Sequence, residues 1–203
     1  MFIKARPPSS FDPHLNERCL IRKASILDVP YIYDLIWQGS KEGSFTDRYL
    51  NSDGYVILLI ELLKILIRPL HADGVLMKLH VLQIVECNGM SIGLLHYTLY
   101  AEMLSGNYLH VEHFAVAPAH RNTGNGAWIV DWLIEEAVKN ESTLTACCTK
   151  YALVMQRIFK KRNFIRTSIG YGLELYSLPY RPLDSMKNTR TAMQAGNPER
   201  LPD

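Results

Sequence analysis

The stretch from Asn107 to Thr149 constrains this chain most. Asn107 to Val116 reads as a strand, closed by Pro118, which has no N–H to give to a ladder. Gly124 and Gly126 follow. From about Gly124 to Asn140, two apolar rows recur at i, i+4 spacing: Ile129, Leu133 and Ala137, then Val130, Ile134 and Val138. That period is helical. Thr143 to Thr149 is then a short β-branched strand. Strand, turn, helix and strand in succession make a parallel step with the helix as its crossover.

The flanks read as follows. Cys19 to Arg22 is a first strand, and Ser25 or Asp28 caps a helix carrying Ile32, Leu35 and Ile36, with Pro30 in its first turn. A second helical region covers about 46–67 and ends before Pro69. Leu76–Glu86 and Ser91–Tyr100 form a hairpin around Asn88-Gly89. Ala152–Lys161 is helical, and Phe164–Leu178 gives one or two closing strands around Gly170-Tyr171-Gly172. The order β-α-α-β-β-β-α-β-α-β(β) is an α/β fold, antiparallel in its first half. Residues 1–17 and 181–203 are proline-bearing arms around one domain, 18–180.

Composition excludes several classes. At 203 residues with 48% hydrophobic content, the chain has enough apolar surface for one core. A formal charge of +2 is too balanced for a dedicated nucleic-acid surface. The greasiest run, Tyr55 to Ile67, contains Glu61 and Lys64 and is shorter than the ~20 residues of a membrane span. It reads as a core helix or a homodimer interface. With no leader-like apolar segment at the start, the expected location is cytoplasmic. Cys19, Cys87, Cys147 and Cys148 lack metal-ligand spacing and are expected to be reduced, buried thiols, so no metal is expected.

The chemistry-bearing segment is Val116-x-Pro118-x-x-Arg121-x-x-Gly124-x-Gly126. A glycine turn opening a helix places unsatisfied amides and the positive end of the helix dipole together, which suits an anion. Arg121 is expected to add a positive charge at its lip. It is neither a GxxxxGK[ST] nor a GxGxxG fingerprint. The pattern, its preceding strand and the element order from about 19 to 178 resemble the GCN5-related N-acetyltransferases (GNAT), with their R/Q-x-x-G-x-G/A loop. The resemblance implies a mixed, mostly antiparallel sheet of six to seven strands, about four helices, and a splayed strand pair at an acetyl-CoA site. It implies that amides of Arg121, Asn122, Thr123, Gly124, Asn125, Gly126 and Ala127 hold the pyrophosphate. It also implies that the backbone of Phe114, Ala115 and Val116 pairs with the pantetheine arm.

Acetyl transfer to an amine needs a base for an ammonium of pKa near ~10, donors for the oxyanion, and a proton for the thiolate. His110, Glu112 and His113 stand on the strand before the loop. Simple alternation puts His110, Glu112 and Phe114 on one face and His113 on the other. Glu112 is favoured as base and His110 is second, while His113 is expected to pack. "VEHFAV" resembles the spermidine/spermine acetyltransferases, and His110 with Glu112 matches the strand histidines of arylalkylamine acetyltransferases. The family's tyrosine falls on Phe159, its glycine on Asn163 and its asparagine on Ala152. A phenyl ring cannot donate a proton, so the acid is Tyr151, Tyr171 or Tyr176, or the thiolate leaves into water.

The expected activity is transfer of acetyl from acetyl-CoA to a small primary amine. A weakened acyl-CoA-binding module and a protein acetyltransferase are the alternatives. Glu42, Asp47, Asp53 and Glu102 are unranked carboxylates for a cationic acceptor. Trp37, Trp128 and Trp132 are expected to pack. Lys160-Lys161-Arg162 is a solvated helix end or a contact for the CoA 3′-phosphate.

Overall fold

A computed structural model describes residues 19–73, 76–102, 106–170 and 173–180. The two arms and Tyr171 lie outside the described residues. Strand β1 (Cys19–Lys23) leads through a short 3-10 turn into helix α1 (Val29–Lys41), and α2 (Ser52–Ile67) follows. Strands β2 (Leu70–Asp73), β3 (Leu76–Cys87), β4 (Met90–Glu102) and β5 (Gly106–Val116) come next. Helix α3 (Asn125–Lys139), β6 (Ser142–Thr149), α4 (Leu153–Lys161), β7 (Ile165–Gly170) and β8 (Leu173–Leu178) complete the order.

One sheet runs β1-β3-β4-β5-β6-β8-β7, with β2 paired to β3 outside that path. Its one parallel pair among the described residues is β5 with β6, as the crossover helix α3 requires. The short β2 was not expected. Pro69 does end the helix, but the chain then turns straight back along β3, with Leu70 opposite Leu79.

The region 46–67 is not one helix. Asp47–Leu50 is a 3-10 turn, and Asn51 stands in an extended conformation between it and α2. Asn51 Oδ1 accepts from the Gly54 amide at 2.7 Å, an N-cap that starts α2 afresh. At the chain's entry Asp28 closes a capping box with Ser25. Arg22 lies 2.7 Å from Asp28 and from Glu86, and its guanidinium holds the Asp28 carboxyl down to about 2.

Each face of the sheet carries a core. α3 sets Ile129, Val130, Leu133 and Ala137 against Leu95, Tyr97, Leu109 and Val111. On the other face α1 and α2 set Ile32, Leu35, Ile36, Leu58 and Leu62 against Leu82, Ile84 and Leu94. Trp132 packs on Tyr97, whereas Trp37 carries Lys41 Nζ over its ring. Among the described residues, no helix is long and apolar enough to cross a membrane.

The thiol expectation is corrected. The antiparallel register sets Cys19 directly opposite Cys87, with Cα atoms 4.0 Å apart, and the two form a disulfide. Cys148 is buried and Cys147 is exposed.

Candidate active site

Strands β5 and β6 pair from Asn107–Ser142 to Val111–Ala146 and then part. Both continue beyond that point, β5 to Val116 and β6 to Thr149. The freed edge of β5 borders a cavity of about 570 Å3 lined by Phe114, Ala115, Val116, Arg121, Asn122, Gly124, Gly126 and Ala127. Of the ten residues expected at the coenzyme, Thr123 and Asn125 do not line it. Their side chains tie the loop together instead: Thr123 Oγ1 donates to the His120 carbonyl at 2.8 Å, and Asn125 Nδ2 to Thr123 Oγ1 at 2.8 Å.

The loop's shape follows from its residues. Gly124 caps α3 at φ 88°, a left-handed conformation that glycine adopts without strain. The first α-helical bond closes only at Trp128, whose amide reaches the Gly124 carbonyl at 3.0 Å. The amides before it have no acceptor within the helix, and they gather at its positive end.

Arg121 departs from its expected role. Its Nε donates to the Val116 carbonyl at 2.9 Å and its Nη1 to Glu42 at 2.8 Å. The guanidinium therefore clamps the loop to the end of α1, and its charge is matched by a carboxylate. Thr149 Oγ1 donates to the Gly43 carbonyl at 2.7 Å, pinning the same end of α1 across to β6. Arg162 is likewise engaged, with Asp131 at 2.7 Å and the Ala127 carbonyl at 3.0 Å, so it braces α3 against α4.

The β5 side chains do not alternate as expected. The β4–β5 register slips: His96 faces His113 while Tyr97 faces Val111. This bulge sends Glu112 and His113 to the same face, and Phe114 joins the α3 core opposite. Glu112 lines the cavity, whereas His110 does not. His110 Nδ1 lies 2.8 Å from Thr145 Oγ1. His113 packs against Phe45, Tyr49 and His96, and burial pushes its pKa down to about 4. Its Nδ1 is 3.2 Å from His96 Nδ1. His96 is also driven well below its ordinary range by burial, and among the described residues its Nε2 has no hydrogen-bond partner.

Two residues that hold Glu112 escaped sequence reasoning, and neither lines the cavity itself. Thr98 Oγ1 donates to Glu112 Oε1 at 3.0 Å, and Tyr100 OH reaches the same oxygen at 3.5 Å. Only the pairing of β4 with β5 brings them there. Of the candidate acids, Tyr151 lines the cavity, while Tyr176 is buried against Phe159. Phe159 also reaches the cavity wall, as does Cys147, an exposed residue whose thiol is raised by partial loss of solvent and by the Glu112 charge. Glu42 lines the cavity; Asp47 and Asp53 do not, and the Glu102 side chain lies outside the described residues. No residue of α2 lines it. Among the described residues no cluster of His, Cys, Asp and Glu could hold a metal.

Comparison with known proteins agrees with this architecture. Residues 61–164 match the model of the Acetyltransferase (GNAT) family. A Streptococcus agalactiae GNAT acetyltransferase is similar at 18% identity and TM-score 0.60, over 81% of this chain and 96% of that one. The Salmonella typhimurium protein yncA, a putative acetyltransferase solved with acetyl-CoA, is similar at 17% identity and TM-score 0.57, over 81% and 95%. A second Salmonella typhimurium acetyltransferase, which modifies the N-terminal serine of ribosomal protein L7/L12, is similar at 11% identity and TM-score 0.58, over 82% and 98%. A search of curated proteins returned no significant sequence match.

Proposed function

Because the chain belongs to the GNAT acetyltransferase family, we propose that its cavity takes acetyl-CoA and that the protein moves the acetyl group to a small primary amine. The observation that carries this reading is the end of the β5–β6 ladder at Val111–Ala146, beside the start of α3. The exposed edge of β5 can pair with an extended pantetheine arm as an added strand would. The amides around Gly124 suit a diphosphate, an anion that the helix terminus favours. Acetyl-CoA supplies the activated thioester.

In this reading Glu112 takes the proton of the incoming ammonium, directly or through a water, and the amine becomes a nucleophile. A backbone N–H near Val116 stabilises the oxyanion at the thioester carbon. Tyr151 gives its hydroxyl proton to the departing thiolate; its place on the cavity wall supports that role. His110, hydrogen-bonded to Thr145, is the second candidate for the base.

A polyamine-like or arylalkylamine-like acceptor fits a wall that joins Phe45 and Val111 to the Glu112 carboxylate. A second reading, acetylation of a protein's N-terminal amine, is favoured by the similarity to the ribosomal-protein enzyme of Salmonella typhimurium.

The test is release of free CoA with polyamines, arylalkylamines, aminoglycosides, amino acids and a peptide beginning with serine. Turnover of a small amine, abolished in Glu112→Gln, is expected. Turnover of the peptide alone would favour the second reading. Silence across the panel with CoA binding intact would leave an acyl-CoA-binding module, a reading that Phe159 and Ala152 support. In that event a large gain in Phe159→Tyr would instead reveal an enzyme handicapped by its missing hydroxyl.

A further inference from the structure

Glu112 is held through one oxygen. Thr98 and Tyr100 both approach Oε1, and among the described residues no donor engages Oε2. Thr98 is 0% exposed, so solvent cannot reorient its hydroxyl. A threonine hydroxyl carries one hydrogen and can accept others. With that hydrogen directed to Glu112, the contact with His80 Nδ1 at 3.0 Å must run the other way, Nδ1–H donating to Oγ1.

The strands explain the arrangement. His80 faces Thr98 across β3 and β4, and Thr98 faces His110 across β4 and β5. The register slip between His96 and Tyr97 brings Glu112 within reach of Thr98 as well. Three strands thus contribute one residue each to a directed chain from His80 through Thr98 to Glu112.

We propose that Thr98 is the positioning residue for Glu112 and that His80 fixes the direction of its hydroxyl, leaving Oε2 as the oxygen that meets the acceptor's proton. The inference rests on Glu112 being the base. Thr98 and His80 act through Glu112 and touch neither acceptor nor coenzyme. Burial lowers the His80 pKa, Lys78 on its own strand and His71 on β2 act the same way, and Glu112 opposes them. The His96 ring lies 5.9 Å away on β4. A neutral imidazole has a single N–H, so its tautomer reports the hydrogen bond that the other groups impose.

The experiment is 15N NMR of the histidines in the full chain at pH 7.5, for wild type, Thr98→Ser and Thr98→Val. It needs no acceptor. His80 is expected as the Nδ1–H tautomer in wild type and in Thr98→Ser, and shifted toward Nε2–H in Thr98→Val. Wild-type His80 in the Nε2–H form, or an unchanged Nδ1–H form in a folded Thr98→Val, overturns the proposal. If Thr98→Val does not fold, the wild-type tautomer alone decides.

Turnover of an amine from the panel supplies the second readout. Thr98→Val should lower kcat at least about tenfold, with the KM for acetyl-CoA unchanged and kcat restored in Thr98→Ser. Full kcat in Thr98→Val beside an inactive Glu112→Gln sinks the positioning role alone. An active Glu112→Gln sinks the base assignment, and the kinetic role of Thr98 with it.

Discussion

Arg121 and Glu42, 79 residues apart in sequence, form a salt bridge of 2.8 Å across the mouth of the cavity. The same guanidinium holds the Val116 carbonyl, so one side chain joins the end of α1, the end of β5 and the glycine loop. Both partners are more than a third exposed, and such pairs contribute about 0–1 kcal/mol to stability. Glu42→Gln should therefore leave the melting temperature within a few degrees of wild type. It frees the Arg121 charge beside the proposed diphosphate site. Calorimetry with CoA should then show tighter binding by a few-fold at low salt, with the gain disappearing at high salt.

The two loop glycines should behave differently. Gly124 has φ 88°, where a Cβ costs about 1–2 kcal/mol. Gly124→Ala should lower the melting temperature by several degrees and weaken CoA binding. At Gly126 an added Cβ meets Ile158 at 3.5 Å and Phe114 at 3.9 Å, which is ordinary contact. Gly126→Ala should melt no lower than wild type, because alanine is the better helix former. Thermal melts and CoA titrations of both variants check the contrast.

Gly93 lets β4 lie close against β5, the strand whose opposite edge borders the cavity. A Cβ there would stand 2.8 Å from the Ala115 carbonyl, a backbone atom that can yield only by moving β5. Gly93→Ala should cost about 1–3 kcal/mol in denaturant unfolding. It should also weaken CoA binding, because Ala115 lies on the edge proposed to hold the pantetheine arm.

The buried histidine pair predicts acid sensitivity. His113 has its pKa depressed from 6.5 to about 4, and His96 moves in the same direction. A depressed histidine favours the neutral, folded state above its unfolded pKa. That contribution falls as pH drops from 6.5 through about 4, since the unfolded chain binds the extra protons. The 3.2 Å Nδ1···Nδ1 contact also needs one nitrogen to accept, which two imidazoliums cannot do. Melting temperature should fall between pH 7.5 and pH 5 by on the order of 5 °C. The fall should be smaller in His113→Phe.

Much of the fold was legible because its signals are local. The helical period of Ile129, Leu133 and Ala137, the Asn88-Gly89 hairpin and the glycine turn each lie within a short window. The parallel β5–β6 step followed from chain order alone, and the seven-strand path agrees with the expected sheet. Short elements were harder. Strand β2 has 4 residues and no distinctive pattern, and the break at Asn51 depends on one cap.

The residues at the cavity divide in the same way. Sequence by itself determined the cradle: a strand, a glycine in the left-handed region and a helix start with unsatisfied amides, all set by neighbours along the chain. Only the tertiary structure decided which side chains stand around it. The bulge that turns Glu112 toward Thr98, the clamp of Arg121 on Glu42 and the pairing of Cys19 with Cys87 join residues 14, 79 and 68 positions apart. Strand register and side-chain pairing of that kind come from packing between distant elements, which no period within one segment encodes.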